Sequence, residues 1–187
     1  SKKDYGLMIL TGVVMAIHWS SFFQSIQTSS VAIGTITFST FPLFLTFLEP
    51  LLFHEKICGK NILNALILLM GVLITIPEFS GENKVTIGIL WGMLASFTYA
   101  VMTLSNRYFS SRYKGRTICL YEQGTAAIAL LPALVLVKAE WRPVDFAGVA
   151  TIGFLCTAIA YSLYVTAQKG VKAQTAGIIS GMETVYG

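Results

Sequence analysis

The sequence has few charged residues and few cysteines. Only 12 % of its 187 residues are Asp, Glu, Lys or Arg, whereas 55 % are hydrophobic. A water-soluble domain of this length carries about twice that share of charge. The three cysteines, Cys58, Cys119 and Cys156, have neither CxxC nor Cys/His spacing, so we expect no metal site, no redox centre and no cofactor.

Recognisable catalytic motifs are also missing. The chain has no GxSxG, no HExxH and no nucleotide-binding loop, which disfavours an enzyme or an ATP-driven pump. Its basic residues lie at the ends of apolar runs and form no patch interleaved with aromatic side chains, so no nucleic-acid partner is expected. An integral-membrane enzyme and a seven-helix receptor-like protein stay open as alternatives.

Long apolar runs fill most of the chain. Cutting at clusters of charge, Gly, Pro and Asn yields seven segments, near residues 5–27, 31–54, 61–77, 85–106, 117–137, 146–168 and 173–187. About 20 apolar residues span a bilayer as a helix. The sequence therefore predicts an all-α polytopic membrane protein, a bundle of transmembrane helices. Because it starts at Ser1 and stops at Gly187 inside an apolar run, we expect a fragment truncated at both ends.

The basic residues predict an orientation. Ten of the thirteen lie on the side of the N-terminus: Lys2, Lys3, Lys56, Lys60, Arg107, Arg112, Lys114, Arg116, Lys169 and Lys172. Short cytoplasmic loops collect Lys and Arg, so this side is expected to be cytoplasmic, in an inner or plasma membrane.

The segment Val31–Lys56 contains two prolines, Pro42 and Pro50, and carries one acid, Glu49, inside its apolar run, with Glu55 at the end of the segment. A proline inside a helix removes a hydrogen bond and clashes with the preceding turn. We predict a helix break at Pro42, with nearby Thr and Ser hydroxyls satisfying the freed carbonyls.

An internal repeat is suggested by sliding the chain by 142 residues. Helix ends, a tight turn and aromatic positions then coincide, with Trp19 over Tyr161 and Phe22 over Tyr164. Five helices separate the copies, so they would run in opposite senses, as in inverted-repeat transporters. The predicted limits are 1–79 for the last three helices of one repeat and 80–187 for the first four of the next.

Several runs resemble a known family. His18-Trp19-Ser20-Ser21-Phe22-Phe23, Phe41-Pro42-Leu43-Phe44 and Leu51-Leu52-Phe53-His54-Glu55 are similar to the EamA repeat of the drug/metabolite transporter superfamily. The resemblance implies a ten-helix permease of two inverted five-helix repeats, of which this chain would contain about helices 3 to 9. His54 departs from the usual Gly of that motif, and Thr184 from a common Pro.

Candidate functional residues are polar or aromatic groups inside apolar segments. A substrate cavity is predicted from His18, Trp19, Phe22, Thr37, Thr40, Tyr99, Thr103, Tyr161 and Tyr164. Ionisable groups inside a membrane are costly and mark function by default, which makes Glu183 and Glu49 the candidates for charge coupling. Glu122 is expected to pair with Arg116 or to reach the membrane surface. Pairs of small residues, Gly88/Gly92 and Gly177/Gly181, predict close helix packing.

These observations predict a secondary active transporter of a small organic metabolite, such as an amino acid, an amine or a drug-like compound, working by alternating access. The expected partners are the substrate, the lipid bilayer and, through coupling, protons. A monomer and a homodimer are both compatible with the sequence.

Overall fold

The computed structural model describes residues 2–57, 59–74, 83–136 and 142–181. Within these ranges the regular structure is helical. The helices are α1 Lys2–Thr28, α2 Val31–Phe38, α3 Phe41–Phe53, α4 Gly59–Ile74, α5 Lys84–Ser110, α6 Gly115–Leu136, α7 Pro143–Thr151, a π-helical segment Ile152–Ile159, α8 Ala160–Ala167 and α9 Ala173–Gly181.

Five stretches are long and apolar enough to cross a membrane: Lys2–Thr28, Val31–Phe53, Lys84–Ser110, Gly115–Leu134 and Pro143–Ala167. A helix rises 1.5 Å per residue, so 20 residues cover the roughly 30 Å of a bilayer's hydrocarbon core. Each of the seven predicted segments contains helix in the described residues. The prediction of an all-α polytopic membrane protein is confirmed.

The second crossing is interrupted between α2 and α3 at Ser39 and Thr40. Pro42 lies in the first turn of α3, where a missing N–H breaks no helical hydrogen bond. The chain therefore opens the helix just before the proline. Hydroxyl groups bind carbonyls on both sides of the break, including Ser39 to the Thr35 oxygen at 2.9 Å and Thr46 to the Pro42 oxygen at 2.8 Å.

The chain packs as two compact units. The first comprises the described residues of 1–16 and 105–171, and the second those of 17–104 and 172–187. Both units contain residues from both predicted repeats, 1–79 and 80–187. The repeat limits therefore describe a predicted sequence relationship and not a packing boundary, and they stay a prediction.

The core of the first unit is formed by five buried side chains, surrounded by partly buried tyrosines: Met8, Phe109, Ile118, Cys119 and Val165. Gly12 lets α1 lie directly against α6. A Cβ atom at Gly12 would stand 2.6 Å from the backbone oxygen of Glu122 and 2.6 Å from the Thr125 Cβ.

The core of the second unit combines α3, α5 and α9 in the cluster Phe41, Leu45, Ala100, Leu104 and Ala173. A Cβ at Gly92 would lie 2.8 Å from Thr37, and one at Gly177 would lie 2.8 Å from Leu45. Close packing was predicted for both glycines and is confirmed.

We predict that Gly12→Ala lowers the free energy of unfolding by about 1–3 kcal/mol, because the added methyl group would force the α6 backbone away. Gly6→Ala is the matched control on the same helix, since a Cβ there meets nothing within 4 Å. Thermal unfolding of both variants in the same detergent measures the difference. Equal midpoints for Gly12→Ala and Gly6→Ala would contradict the packing described.

Candidate functional site

Six rings of the second unit form one group, named here the aromatic cluster: His18, Trp19, Phe22, Phe38, Phe41 and Tyr99. Neighbouring centroids lie between 4.8 Å, for Phe41 and Tyr99, and 6.3 Å, for His18 and Phe22. These separations suit stacked and edge-to-face ring pairs. The helices α1, α2, α3 and α5 each contribute at least one ring.

His18 is the polar member of the aromatic cluster and is only 6 % exposed. Its Nδ1 lies 2.9 Å from the Ala95 backbone oxygen. A carbonyl oxygen can only accept, so Nδ1 carries the hydrogen and donates it. In the neutral ring Nε2 then keeps its lone pair, for which the described part of the chain provides no donor. His18 thus presents a hydrogen-bond acceptor among apolar rings.

A polar group of side chains lies at the helix break. The Thr40 hydroxyl donates to the Thr37 carbonyl oxygen at 2.7 Å and lies 2.9 Å from the Ser96 hydroxyl of α5. Thr37 is 1 % exposed, and its own hydroxyl has no hydrogen-bond partner among the described residues. Buried polar groups without a hydrogen-bond partner are rare in protein interiors, because each has lost its hydrogen bonds to water and gained none from the protein.

The predicted cavity residues fall into two places. His18, Trp19, Phe22, Thr37, Thr40, Tyr99 and Thr103 belong to the second unit, whereas Tyr161 and Tyr164 belong to the first. Thr103 donates to the Tyr99 carbonyl oxygen at 2.9 Å. Glu183 lies outside the described residues.

Sequence reasoning missed Phe38, Phe41 and Ser96. The signal for the two Phe residues was their i, i+3 spacing, which places both on one side of a helix. Within residues 2–57, 59–74, 83–136 and 142–181, no three His, Cys, Asp or Glu side chains are grouped to hold a metal ion.

Glu49 caps the start of α9. It is 3 % exposed and accepts hydrogen bonds from the backbone N–H groups of Ala173, at 2.6 Å, and Gln174, at 3.0 Å. The first N–H groups of a helix have no partner inside it, and the helix dipole favours a negative charge there. Glu49 is therefore buried against a helix terminus.

Further polar contacts join α3, α4 and α9 around this cap. The Gln174 amide donates to the Thr46 hydroxyl at 2.9 Å and accepts from the Asn61 amide. Lys172 and Glu55 form an ion pair at 3.0 Å. We call Glu49, Thr46, Gln174 and Asn61 the α9 cap network.

The first unit contains a second buried acid. Glu122 of α6 is fully buried and accepts a hydrogen bond from the Tyr161 hydroxyl of α8 at 3.0 Å, and the Asn106 amide of α5 lies beside both groups. No Lys or Arg of the described ranges forms an ion pair with it. The expectation that Glu122 pairs with Arg116 or reaches the surface is wrong, because α1, α5 and α8 surround this face of α6.

The other predicted aromatic residue of this unit, Tyr164, lies with its ring 6.3 Å from that of Tyr161. One turn further, Gln168 is 2 % exposed, and neither amide atom has a hydrogen-bond partner in the described part of the chain.

At the start of α1, polar contacts join Asp4 to the turn between α5 and α6. The Tyr113 hydroxyl, in the turn between α5 and α6, donates to Asp4 at 2.8 Å, and Arg112 lies 3.8 Å from the same carboxylate. The hydrogen bond to Asp4 raises the pKa of Tyr113, because it stabilises the protonated phenol.

Comparison with known proteins decides the family. The model of the EamA-like transporter family matches residues 1–76 and 86–187. The chain belongs to this family. The resemblance seen in the sequence is thereby confirmed.

Curated proteins of similar sequence are also named transporters. The EamA-like chain is 23 % identical over 164 residues to an uncharacterized transporter of Archaeoglobus fulgidus, covering 88 % of the chain and 58 % of the relative. It is 23 % identical over 184 residues to the uncharacterized transporter YxxF of Bacillus subtilis, covering 96 % and 58 %. The chain thus spans somewhat more than half the length of these relatives. No solved structure matches it.

We predict that Glu49→Gln lowers the free energy of unfolding by about 1–3 kcal/mol, because an amide N–H₂ group would face the backbone N–H donors of α9. Glu55→Gln is the matched control: it removes an ion pair with the 63 % exposed Lys172, and such pairs contribute about 0–1 kcal/mol. Thermal unfolding compares the two variants. A loss as large in Glu55→Gln as in Glu49→Gln would contradict the role of Glu49 as a helix cap.

Proposed function

We propose that this EamA-like protein is a secondary active transporter of a small organic solute, and that the aromatic cluster with its adjoining hydroxyls binds the solute. The observation that carries the proposal is the buried His18 ring, whose Nδ1 donates to the Ala95 carbonyl oxygen, within a group of apolar rings beside a helix break. Binding sites for small molecules combine apolar walls with a few polar groups in this way.

The chemistry of the site favours a particular kind of solute. Ring faces bind flat or apolar groups, and His18 Nε2 can accept a hydrogen bond. The Thr37 hydroxyl has no hydrogen-bond partner among the described residues, so it can bond to a solute. None of the six residues of the aromatic cluster carries a permanent charge. An amino acid, an amine or a drug-like compound with an aromatic portion and an N–H donor fits these properties.

Alternating access follows from the same features. The break at Ser39 and Thr40 divides the crossing into α2 and α3. Turn hydrogen bonds span the break, from the Thr40 N–H to the Thr37 oxygen at 3.1 Å and from the Leu43 N–H to the Thr40 oxygen at 2.8 Å, and the two helices can tilt about this turn. The α9 cap network ties the end of α3 to the start of α9. We assign it the role of a gate that is closed in this conformation.

The excess of Lys and Arg beside the α1 start and the α9 start supports placing the gate on the cytoplasmic side of an inner or plasma membrane. Two inverted repeats would supply the matching gate on the opposite side. Glu183 stays a candidate for charge coupling.

Transport is tested by counterflow in proteoliposomes, with phenylalanine, phenylethylamine and ethidium as probes of the three solute classes. We expect the protein to exchange at least one of them, and Trp19→Ala to reduce the exchange about tenfold or more, because it removes a ring face from the site. Trp91→Ala is the matched control, since Trp91 is 39 % exposed and outside the aromatic cluster.

Exchange of none of the probes, or full exchange by Trp19→Ala, would reject the proposed site. An equal loss in Trp91→Ala would show that removing any tryptophan impairs the protein, and would reject it as well.

A further inference from the structure

Glu122, Tyr161 and Asn106 form a closed polar group in the first unit, named here the Glu122 triad. Three different helices supply its members: α6, α8 and α5. Glu122 is fully buried and Asn106 is 1 % exposed. Glu122 lies seven residues after Gly115, about 10 Å along the α6 crossing at 1.5 Å per residue. The triad therefore lies inside a membrane-crossing segment.

The Asn106 amide fits this site in either of its two orientations. In the first, Nδ2 donates to the Tyr161 hydroxyl at 2.8 Å, and that hydroxyl donates to Glu122 Oε2 at 3.0 Å. Asn106 Oδ1 then lies 2.9 Å from Glu122 Oε1. Two oxygens approach so closely only with a hydrogen between them. This orientation needs a proton on Glu122, and each of the three groups then donates once and accepts once.

Turning the amide by half a turn leaves the same requirement. Nδ2 now donates to Glu122 Oε1 at 2.9 Å and to Oε2 at 3.1 Å, and Oδ1 accepts from the Tyr161 hydroxyl at 2.8 Å. The Tyr161 hydroxyl has one hydrogen, so its oxygen and Glu122 Oε2, 3.0 Å apart, now need a hydrogen from the carboxyl group. In either amide orientation a proton on Glu122 completes a ring of three hydrogen bonds, whereas a carboxylate leaves two oxygens in contact without a hydrogen between them.

We propose that the Glu122 triad is a reversible proton-binding site, in which a proton from water binds the Glu122 carboxyl group and completes the ring of hydrogen bonds with Tyr161 and Asn106. Among the described residues no Lys or Arg forms an ion pair with this carboxyl group. Testing this site needs no transport assay. A failed test would therefore leave the proposed function unaffected, and a failed transport assay would leave this proposal unaffected.

The groups around Glu122 support a proton in preference to a metal ion. From α1 the neighbour is Gly12, from α5 Asn106 and from α8 Tyr161, while Cys119 is the titratable group one turn earlier on α6. Asp4, with its partners Arg112 and Tyr113, lies two turns from Gly12 along α1. The triad's oxygens already hydrogen-bond to one another, and a metal ion would have to separate them.

The test is a pH titration by infrared spectroscopy of the full chain in lipid bilayers. A protonated carboxyl has a C=O stretching band that a carboxylate lacks. We expect a band that disappears as the pH rises, that is absent from Glu122→Gln, and that persists in the matched control Glu55→Gln. A titrating band that survives in Glu122→Gln, or no such band in the unmodified chain, would overturn the proposal.

Tyr161→Phe and Asn106→Leu test the triad even if Glu122→Gln fails to fold. Each removes one hydrogen-bonding member of the triad, so each should shift the midpoint of the band by about one pH unit or more. Unchanged midpoints would show that the triad does not hold the proton. A midpoint that moves when choline replaces Na⁺ would assign the site to a metal cation instead.

Discussion

The structure depends on satisfying polar groups inside an apolar helical bundle. In a bilayer no water reaches the backbone, so each N–H and C=O must find its partner within the protein. Continuous helices meet this requirement by themselves, and α1 and α5 do so over 27 residues each. Where a helix is interrupted, side chains supply the missing hydrogen bonds. Around Ser39 and Thr40, for example, hydroxyl groups donate to backbone carbonyl oxygens. The candidate functional residues are of two kinds: those whose polar side chains supply a missing backbone hydrogen bond, and those whose own polar groups are left without a partner in the described part of the chain.

The two buried glutamates show how differently the requirement is met. Glu49 accepts hydrogen bonds from two N–H groups at the start of α9, which makes it a structural link between α3 and α9. Glu122 faces a phenol and an amide, which can donate to a carboxylate or accept from a carboxylic acid. The same type of side chain therefore caps a helix in one unit and, in our proposal, binds a proton in the other.

Sequence reasoning located the helices because long apolar runs leave few alternatives, and it located the break within a few residues because proline chemistry is local. It also selected His18, Trp19, Phe22 and Tyr99, whose rings do lie together. It failed for Glu122, since the decisive partners come from other helices and no local pattern shows that Asn106 and Tyr161 face the same point. Packing of distant segments, and not residue type, separates a paired or exposed acid from a buried one.

The helix break and the aromatic cluster are connected through α5. Thr40 meets Ser96 at the break, and one residue earlier on α5 the Ala95 carbonyl holds His18. A tilt of α3 that separates Thr40 from Ser96 would therefore act on the same turn of helix that orients the histidine. Because side chains in a packed interior shift between discrete arrangements, such a tilt would change the site as a unit. Opening of the helix and release of a bound solute are thus expected to occur together.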